Sequence, residues 1–507
     1  MTHTLIVGGG GSGAVLAARL SEDSTREVTL LEAGSALPTP PELLDGGAIP
    51  AAFPGHTANW AYPAELTPER ATIVPRGRVL GGSTAINGGY FERARPEDFA
   101  RWARAGGADW SFERALPVLA SLERDRDFGE AAGHGTSGPV PVARPAQVST
   151  LTAAMTSAAA ELGFPAEPDK NAPGARPGAG PVPSNIIDGV RVNTATAYLE
   201  AARPRPNLRV IGDTRALRVR IAAGRAVGVD TATGYFAADE VVLCAGAVAT
   251  PQLLLLSGVG PAAQLAAFSI PVHADLPVGV SFSDHPNLAV GWHPARPMHD
   301  AAERFAFPAA VNFDSSGTAG LHPEGDLEIL LSVKPIGELL TGMPNAVPWP
   351  GADELQLLVA LQRPRSRGRL TLRSADPLEP PRIEYRYLEH PDDRARLRVG
   401  VRTAAALLRS RAFAGVFDRF SSLNTDVLTR DRALDRWIRE RLGTAIHLTG
   451  SAPIGPVLDP AGRVHGVAGL RVADTSMLPD VPSRGPSNTA VFIGELIARQ
   501  MRAGATR

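Results

Sequence analysis

The amino-acid sequence predicts an α/β protein built from two interleaved domains, and three observations support this class. A strand, a glycine cluster, a helix and a second strand follow one another at the N-terminus. Strand-like segments return between residues 208 and 244, and others lie between residues 326 and 372. The length of 507 residues exceeds what one hydrophobic core usually serves. We therefore expect a parallel sheet with helices and a second, largely antiparallel sheet.

The N-terminal elements have the length of one βαβ crossover. Thr4–Val7 is a short apolar strand, the alanine- and leucine-rich Ala14–Leu20 favours a helix, and Val28–Leu31 is a second strand. Strands joined by a helix in this way are typical of Rossmann-like nucleotide-binding domains. The sequence thus predicts a nucleotide site at the turn between the first strand and the helix.

The glycines of that turn have the spacing of a dinucleotide-binding motif. Gly8, Gly10 and Gly13 fit G-x-G-x-x-G directly after the strand, and Glu32 ends the second strand. Gly8 permits the tight turn, Gly10 lets the backbone approach a pyrophosphate, and Gly13 allows close packing of the helix on the strand. Glu32 can accept a hydrogen bond from a ribose hydroxyl, which favours FAD or NAD over NADP. The motif does not distinguish FAD from NAD.

The next segments alternate between irregular and helical composition. Residues 35–78 are rich in Pro, Gly and Ala with little periodicity, which predicts an extended covering segment without regular structure. Residues 96–122 favour helices, whereas residues 129–145 and 170–183 are Gly/Pro-rich and indicate loops. Long loops of this kind often shape the entrance of an active site.

Later segments complete the two predicted sheets. Four strands that return the chain to the first sheet are expected at residues 208–211, 217–221, 226–231 and 240–244. Strands of the second sheet are expected at residues 326–333, 355–361 and 369–372. Helices are predicted at residues 393–408 and 490–501.

The composition predicts a small-molecule partner. The chain has 51 basic and 52 acidic residues, so its net charge of −1 gives no overall attraction for nucleic acid or an anionic membrane. No apolar stretch is long enough to be a transmembrane segment, and the single cysteine, Cys244, cannot form an internal disulfide. These features predict a cytoplasmic protein. The sequence has neither the G-x-S-x-G motif of many hydrolases nor the ligand spacing of a metal site.

Two long motifs resemble the signatures of the glucose-methanol-choline (GMC) oxidoreductases. The first is Arg76–Asn87, with the sequence RGRVLGGSTAIN, and the second is Gly246–Gly260, with the sequence GAVATPQLLLLSGVG. Asp284-His285-Pro286 and Gly469–Ser476 are similar to further segments of the family, in the same order. The resemblance implies an α/β GMC fold and an enzyme that removes a hydride from a CH–OH carbon of a small-molecule alcohol or glycoside and passes it to FAD.

The resemblance also assigns residues to the cofactor. Glycines expose backbone N–H groups that suit the flavin and its phosphates. Some relatives attach FAD through a histidine at the position of Ile86, so the isoleucine implies non-covalent FAD. The expected cofactor-binding residues are Gly8, Gly10, Gly13, Glu32, Arg78, Gly81, Gly82, Ser83, Asn87, Gly246, Asp474 and Ser487.

His447 is the expected catalytic base. It opens the segment His447–Ser451, which resembles the family segment that begins with a catalytic histidine near flavin N5. Because an imidazole titrates near neutrality, it is suited to accept the hydroxyl proton when the hydride leaves. Taken alone, a histidine between Ile446 and Leu448 also fits a core position.

The second catalytic position of the family, a His or an Asn, departs from the pattern here. An ungapped match places Gly485 at this position. We predict that Asn488, three residues later, takes the catalytic role by helping to orient the substrate hydroxyl. The alternative is that Ser487 and Asn488 only cap the last helix and contact the flavin.

The same resemblance implies a discontinuous arrangement of domains. The FAD-binding domain is expected at residues 1–145, 185–283 and 435–507. The substrate-binding domain is expected at residues 146–184 and 284–434.

Within the family, three segments are most similar to the mycofactocin-associated dehydrogenases. They are Asn87–Arg93, His134–Pro139 and Asn185–Arg191. This narrower resemblance implies oxidation of a reduced peptide-derived cofactor, with electrons passed toward respiration. The alternatives are a sugar, glycoside or simple alcohol oxidase, an FAD-containing hydroxynitrile lyase, and a catalytically silent flavin-binding module. The electron acceptor is accordingly expected to be oxygen, a quinone or another carrier.

Overall fold

The computed structural model describes residues 2–145, 148–296, 298, 305–316, 323–333 and 354–504. The strands in these ranges are β1 (Thr2–Val7), β2 (Arg26–Leu31), β3 (Tyr62–Thr67), β4 (Arg70–Val74), β5 (Glu123–Asp125), β6 (Val140–Val142), β7 (Ala179–Pro181), β8 (Ile186–Ile187), β9 (Val190–Arg191), β10 (Leu208–Ile211), β11 (Ala216–Ala222), β12 (Arg225–Thr231), β13 (Gly234–Ala237), β14 (Glu240–Leu243), β15 (Pro286–Pro294), β16 (Ala309–Phe313), β17 (Leu327–Ser332), β18 (Leu355–Leu361), β19 (Arg369–Thr371), β20 (Arg382–Glu384), β21 (Phe417–Phe420), β22 (Leu442–Thr444) and β23 (Leu470–Val472). The α-helices are α1 (Gly13–Leu20), α2 (Pro41–Leu44), α3 (Pro96–Gly106), α4 (Phe112–Leu122), α5 (Thr150–Glu161), α6 (Glu200–Ala202), α7 (Gly246–Leu256), α8 (Ala262–Ala267), α9 (Pro391–Leu408), α10 (Thr425–Thr429), α11 (Asp431–Arg441) and α12 (Ser487–Gly504).

The first sheet is parallel and carries the N-terminal glycine turn. Its strand order is β10-β2-β1-β14-β23. Val7, the last residue of β1, lies opposite Leu31 of β2 and Leu243 of β14, so the three strands end together. The glycine turn, Glu32 and Cys244 directly follow these strands and therefore share one edge of the sheet. The predicted βαβ unit is confirmed.

The N-terminal helix of this unit contacts the last helix of the chain. The Ser12 hydroxyl, just before α1, donates a hydrogen bond to the carbonyl of Ala490 in α12 at 2.7 Å. This contact brings the two ends of the chain to the same place beside the sheet.

The second sheet is antiparallel and covers the glycine-turn edge of the first. Its strand order is β21-β15-β18-β17-β16-β7, with β22 also paired to β15. One face packs on α9, where Gly400 lies against Val359 and Leu327. Because side chains of a strand alternate between faces, Glu328 and Leu330 of β17 point away from α9, into the space between the two sheets.

Three sequence-based predictions about the strands are wrong in detail. Strands β11 and β12 leave the parallel sheet and form a separate antiparallel sheet with β13, because hairpin pairing joins neighbours in sequence. Strand β19 lies in a four-stranded sheet, β19-β20-β3-β4, and not in the large antiparallel sheet. The prediction that residues 35–78 lack regular structure is wrong as well, because they contain the β3-β4 hairpin. Buried residues alternate along β3, but the Pro and Gly residues around the hairpin made this pattern hard to recognise in the sequence.

Several strands bridge the proposed domain boundaries. Strand β7 pairs with β16 as the division implies, whereas β22 from the predicted FAD-binding domain also pairs with β15. The boundaries remain a proposal, and residues 334–353 of the proposed substrate-binding domain lie outside the described residues. Among the described helices, none combines the length and the apolar character that crossing a membrane requires.

Candidate active site

A cavity of about 360 Å³ lies between the glycine-turn edge of the parallel sheet and one face of the antiparallel sheet. The parallel-sheet edge contributes the glycine turn and Glu32, and the antiparallel sheet contributes residues of β17 and β18. His447 lines the same cavity from the segment that follows β22. The fold therefore joins the predicted cofactor site and the predicted catalytic histidine in one space.

The glycine turn brings bare backbone to the cavity. Gly8 has a φ of +102°, a conformation that residues with a side chain rarely adopt. A Cβ on Gly82 would lie only 2.7 Å from the Cα of Gly10, so the turn after β1 and the first signature motif touch through backbone alone. Such close contact leaves N–H groups free of side-chain cover, as a pyrophosphate site requires.

Glu32 is held in place by the backbone at both carboxylate oxygens. The N–H groups of Gly9 and Gly34 donate to Oε2 and Oε1 at 2.9 and 2.8 Å. Burial raises the pKa of Glu32 to about 7, although these N–H donors favour the ionised form. A fixed carboxyl group at the end of β2 that also lines the cavity is the acceptor expected for a ribose hydroxyl.

Gly246 and Asp474 shape the opposite wall of the cofactor region. Gly246 has a φ of +84° and faces open space where a side chain would stand. Its N–H donates to Asp474 Oδ2 at 2.9 Å, and the Thr250 hydroxyl donates to the same oxygen at 2.6 Å. Asp474 thus fixes the start of α7 against the end of β23, which leaves a cradle beside Gly246.

Most of the predicted cofactor residues line the cavity. Those that do are Gly8, Gly10, Glu32, Gly82, Ser83, Asn87, Gly246, Asp474 and Ser487. Gly13, Arg78 and Gly81 do not appear in its wall. Gly13 packs on Gly8, Gly81 donates its N–H to the Gly9 carbonyl at 2.8 Å, and the Arg78 guanidinium lies 5.2 Å from the Trp60 ring centroid. These three residues lie outside the cavity and contact Gly8, Gly9 and Trp60 in or beside its wall.

His447 is presented to the cavity by a constrained backbone. Ile446 has a φ of +67°, which is unfavourable for a β-branched residue. The Arg76 guanidinium donates to the Ile446 carbonyl at 2.7 Å, and Asp284 Oδ1 accepts the His447 N–H at 2.7 Å. These two contacts hold a strained conformation that sets the direction of the imidazole.

His447 is paired with a second histidine, His285. The two Nδ1 atoms are 3.0 Å apart, and the rings meet edge to face at 89°. His285 Nε2 lies 2.9 Å from the carbonyl of Pro482. Because a carbonyl only accepts, His285 carries its hydrogen on Nε2 and accepts on Nδ1. His447 therefore donates from Nδ1 and keeps an unprotonated Nε2.

Both histidines of this pair are held neutral. Burial lowers the pKa of His447 well below 6.5, and the nearby His285 imidazole and Arg76 guanidinium further disfavour its protonated form. Burial also lowers the pKa of His285 to about 4. A neutral imidazole with a free ring nitrogen in the cavity can accept a proton from a bound hydroxyl group.

The predicted second catalytic residue occupies a less direct position. Asn488 is fully buried, and neither atom of its amide has a hydrogen-bond partner in the described part of the chain. It does not line the cavity, whereas Ser487 and Gly485 do. A Cβ on Gly485 would lie 3.5 Å from His447 Cε1 and 3.0 Å from the Tyr90 ring. The aligned position therefore faces His447 but carries no functional group.

Four polar residues of the site have no role in the sequence-based prediction. Arg76 and His285 lie inside segments that resemble the family, but no spacing rule links them to His447. Tyr90 and Glu328 also line the cavity. The only signal for Glu328 is a carboxylate inside the apolar strand LEILLS. This pattern is unusual, since a buried charge requires compensation.

Comparisons with known proteins identify the family of this chain. The family model described as GMC oxidoreductase matches residues 2–287, and its C-terminal counterpart matches residues 364–494. The chain is 41% identical over 508 residues to an uncharacterized GMC-type oxidoreductase in the thcA 5′ region of Rhodococcus erythropolis, covering 97% of this chain and 96% of the relative.

Two further relatives have a named activity. The chain is 32% identical over 544 residues to a 5-(hydroxymethyl)furfural oxidase of Methylovorus sp. strain MP688, covering 98% of this chain and 99% of the relative. The crystal structure of a pyridoxine 4-oxidase from Mesorbium loti superimposes with a TM-score of 0.90 at 28% identity and covers 99% of both chains.

Proposed function

Because this chain belongs to the GMC oxidoreductase family of FAD-dependent enzymes that act on alcohols, we propose that it oxidises the CH–OH group of a small alcohol with His447 as the proton acceptor. The observation that carries this proposal is the unprotonated Nε2 of His447 in the cavity, fixed through His285 and the Pro482 carbonyl. Bound FAD supplies the acceptor for the hydride that leaves the carbinol carbon. The hydroxyl proton moves to His447 Nε2 and the C–O bond becomes a carbonyl.

The residues around the cavity fit FAD without a covalent bond. The bare glycine turn, the carboxyl of Glu32 and the open cradle at Gly246 suit a pyrophosphate, a ribose and a close approach of the cofactor to backbone. Ile86 lines the cavity and offers no nucleophile for a flavin linkage. Acid precipitation should therefore release the flavin into the supernatant, whereas a flavin that stayed with the pellet would contradict the proposal.

We propose a primary alcohol carried on a small, partly apolar group as the substrate. The names of two relatives, a 5-(hydroxymethyl)furfural oxidase and a pyridoxine 4-oxidase, both refer to substrates with a ring-bound hydroxymethyl group. Phe307, Leu330 and Leu358 line the cavity and can contact such a ring.

The narrower mycofactocin-associated role is a finer proposal that rests on the three segments of resemblance. It predicts that reduced mycofactocin, rather than a simple alcohol, bleaches the flavin fastest, and that the reduced flavin passes its electrons to a quinone or protein carrier more readily than to oxygen. Cytoplasmic location is proposed with it, since a lone buried Cys244 suits a reducing compartment. Cell fractionation would test the location.

The decisive experiment is anaerobic titration of the purified holoprotein with alcohols. We expect the yellow flavin to bleach with a hydroxymethyl arene such as benzyl alcohol, and to regain its colour when an acceptor is admitted. A flavin that stays oxidised with every alcohol, sugar and reduced mycofactocin would contradict the proposal. That outcome would favour a lyase if a cyanohydrin were cleaved under the same conditions, and a silent flavin-binding module otherwise.

A further inference from the structure

We propose that Glu328 selects the substrate by accepting a hydrogen bond from a second, distal hydroxyl group while His447 acts on the first. This inference rests on the proposed alcohol oxidation and adds the class of substrate: a hydroxymethyl compound that carries another hydroxyl.

Glu328 stands in a mainly apolar wall. It lies on the cavity face of β17 with Leu330, and Leu358 and Ala360 of β18 line the same face. The side chain is 6% exposed. A carboxylate in this setting is costly unless its oxygens have partners, so each oxygen has to be accounted for.

One carboxylate oxygen is committed to the protein. Asn312 Nδ2 donates to Glu328 Oε2 at 3.0 Å. The Tyr90 hydroxyl lies 2.9 Å from the same atom and 2.6 Å from Glu92 Oε2, so its one hydrogen is shared between the two carboxylates. Burial and the charges of Glu328 and Glu92 raise the pKa of Tyr90 well above 10, so its hydroxyl remains a donor. Oε1 has no hydrogen-bond partner among the described residues and is not a buried atom. Because Glu328 lines the cavity, Oε1 is the oxygen available to a ligand.

The charge around Glu328 is already balanced. Glu167 contacts Lys170 at 2.7 Å and Arg95 at 3.1 Å, and Glu92 contacts Arg484 at 2.5 Å. Lys170 also donates to Asn312 Oδ1 at 2.8 Å, which links this group to Glu328. The six charged side chains, each less than a tenth exposed, are Glu92, Glu167, Glu328, Arg95, Lys170 and Arg484.

Three negative and three positive charges make this network neutral when Glu328 is ionised. A ligand cation would leave it with an uncompensated positive charge in a buried setting, which is unfavourable. A neutral hydroxyl group donates to Oε1 without changing the balance. The structure therefore favours a hydroxyl over an ammonium group as the ligand of Glu328.

Tyr90 connects this polar wall to the catalytic histidine. Its ring and His447 Cε1 both lie within 3.5 Å of the point where a side chain on Gly485 would begin. The glycine thus leaves room for the tyrosine ring beside His447. One small molecule in the cavity can then meet His447 at one end and the Tyr90–Glu328 pair at the other.

The test compares two alcohols that differ by one hydroxyl group. Rates of anaerobic flavin reduction are measured for 1,4-benzenedimethanol and 4-methylbenzyl alcohol with the holoprotein. A hydrogen bond to a charged acceptor predicts that kcat/KM favours the diol by about 30-fold. A third probe, 4-(aminomethyl)benzyl alcohol, should be a poorer substrate than the diol.

The variant Glu328→Gln gives a directional prediction. Lys170 fixes the Asn312 amide so that Nδ2 points at position 328. In this variant the glutamine oxygen has to accept the hydrogen bond from Asn312 Nδ2, so the glutamine NH2 group faces the cavity. The cavity then has a hydrogen-bond donor where Glu328 Oε1 was an acceptor. The ratio of kcat/KM for the diol to kcat/KM for 4-methylbenzyl alcohol should fall to about one, and 4-acetylbenzyl alcohol, which offers an acceptor, should gain relative to 4-methylbenzyl alcohol.

The control variant is Glu65→Gln, which removes a partly exposed carboxylate paired with Arg382, outside the cavity wall. It should keep the diol preference. Equal kcat/KM for the diol and 4-methylbenzyl alcohol in the unmodified protein, a preference for the amine, or a Glu328→Gln variant that slows both alcohols alike would each overturn the inference. If no alcohol bleached the flavin at all, the proposed function would fail first, and the inference with it.

Discussion

Two histidines inside this protein experience opposite electrostatic surroundings. The imidazole of His447 contacts the imidazole of His285, and the positive charge of the Arg76 guanidinium lowers the pKa of His447. The imidazole of His134, with a side chain 1% exposed, instead lies between three carboxylates. They belong to Glu123 and Asp125, at 3.0 and 3.5 Å from Nδ1, and to Asp169, at 2.9 Å from Nε2. The pKa of His447 falls well below 6.5, whereas that of His134 rises to about 10.

The comparison shows that burial alone does not decide the charge of a histidine. Burial opposes the charged form in both places, but hydrogen bonds to Asp125, Asp169 and Glu123 outweigh it at His134. His134 is therefore a permanent cation at neutral pH, and it cannot act as a base. Among the described residues, no carboxylate is hydrogen-bonded to the His447 ring, and the imidazole stays neutral, which is the state that a proton acceptor needs.

The acidic cluster around His134 does not require a metal ion. Arg93 Nη2 lies 2.5 Å from Glu123, and Arg144 contacts Asp125 at 2.6 Å and Asp169 at 2.7 Å. Two guanidinium groups and the imidazolium thus match three carboxylates. Although Glu123, Asp125 and His134 are close enough together to hold a metal ion, we assign the cluster a structural role.

The largest effect is expected from removing the neutral histidine. The variant His447→Ala should lower the rate constant of anaerobic flavin reduction by about 100-fold or more, because the hydroxyl proton loses its acceptor. Flavin content should stay close to one per chain, and added imidazole should restore part of the rate. A variant that reduces its flavin at the normal rate would remove His447 from the mechanism.

Removing the charged histidine should affect stability and leave chemistry intact. The variant His134→Gln leaves three carboxylates with two cations, which should cost on the order of 3 kcal/mol and lower the melting temperature by a few degrees. Flavin reduction per bound flavin should not change. If His134→Gln lost catalysis at an unchanged melting temperature, the structural role assigned to His134 would be wrong.

The same variant has a pH signature. The folded pKa of His134 lies above the unfolded value of about 6.5, so its contribution to stability is complete below that pH and disappears as pH rises toward 10. The melting-temperature difference between the unmodified protein and His134→Gln should be largest near pH 6 and shrink by pH 10. A difference that grows with pH would contradict an imidazolium at this position.

A smaller effect is expected from the positioning residue His285. The variant His285→Leu removes the acceptor that keeps the hydrogen of His447 on Nδ1, and it should slow flavin reduction by about 10-fold with little change in KM. His285→Asn keeps an acceptor close to the position of Nδ1 and should recover most of the rate. Equal losses in both variants would indicate a packing role only.

The smallest effect is expected at Asn488. Its unpaired amide is a candidate partner for a bound cofactor or hydroxyl group, so Asn488→Ala should slow flavin reduction by about 5-fold. If Asn488→Ala had the full rate, the proposed second catalytic role would be excluded.

The local sequence was sufficient to predict the parallel βαβ unit and the glycine turn that lines the cavity. Glycine spacing and strand length are short-range properties, so G-x-G-x-x-G after β1 could be interpreted without knowing its neighbours. The resemblance to GMC oxidoreductases added the family, which the family models confirm, and the prediction that the segment beginning with His447 is catalytic. The hairpin β3-β4 and the separate sheet β11-β12-β13 were missed, because pairing partners depend on the rest of the fold.

The sequence by itself thus determined the βαβ unit and the family, and it predicted His447 as the proton acceptor. Only the tertiary structure decided the electrostatic surroundings of each histidine and which polar groups line the cavity. His285 lies 162 residues from His447, and Tyr90 lies 238 residues from Glu328. The pKa of a buried group and the direction of its free lone pair are set by atoms within a few ångströms, and folding brings those atoms together from distant parts of the chain.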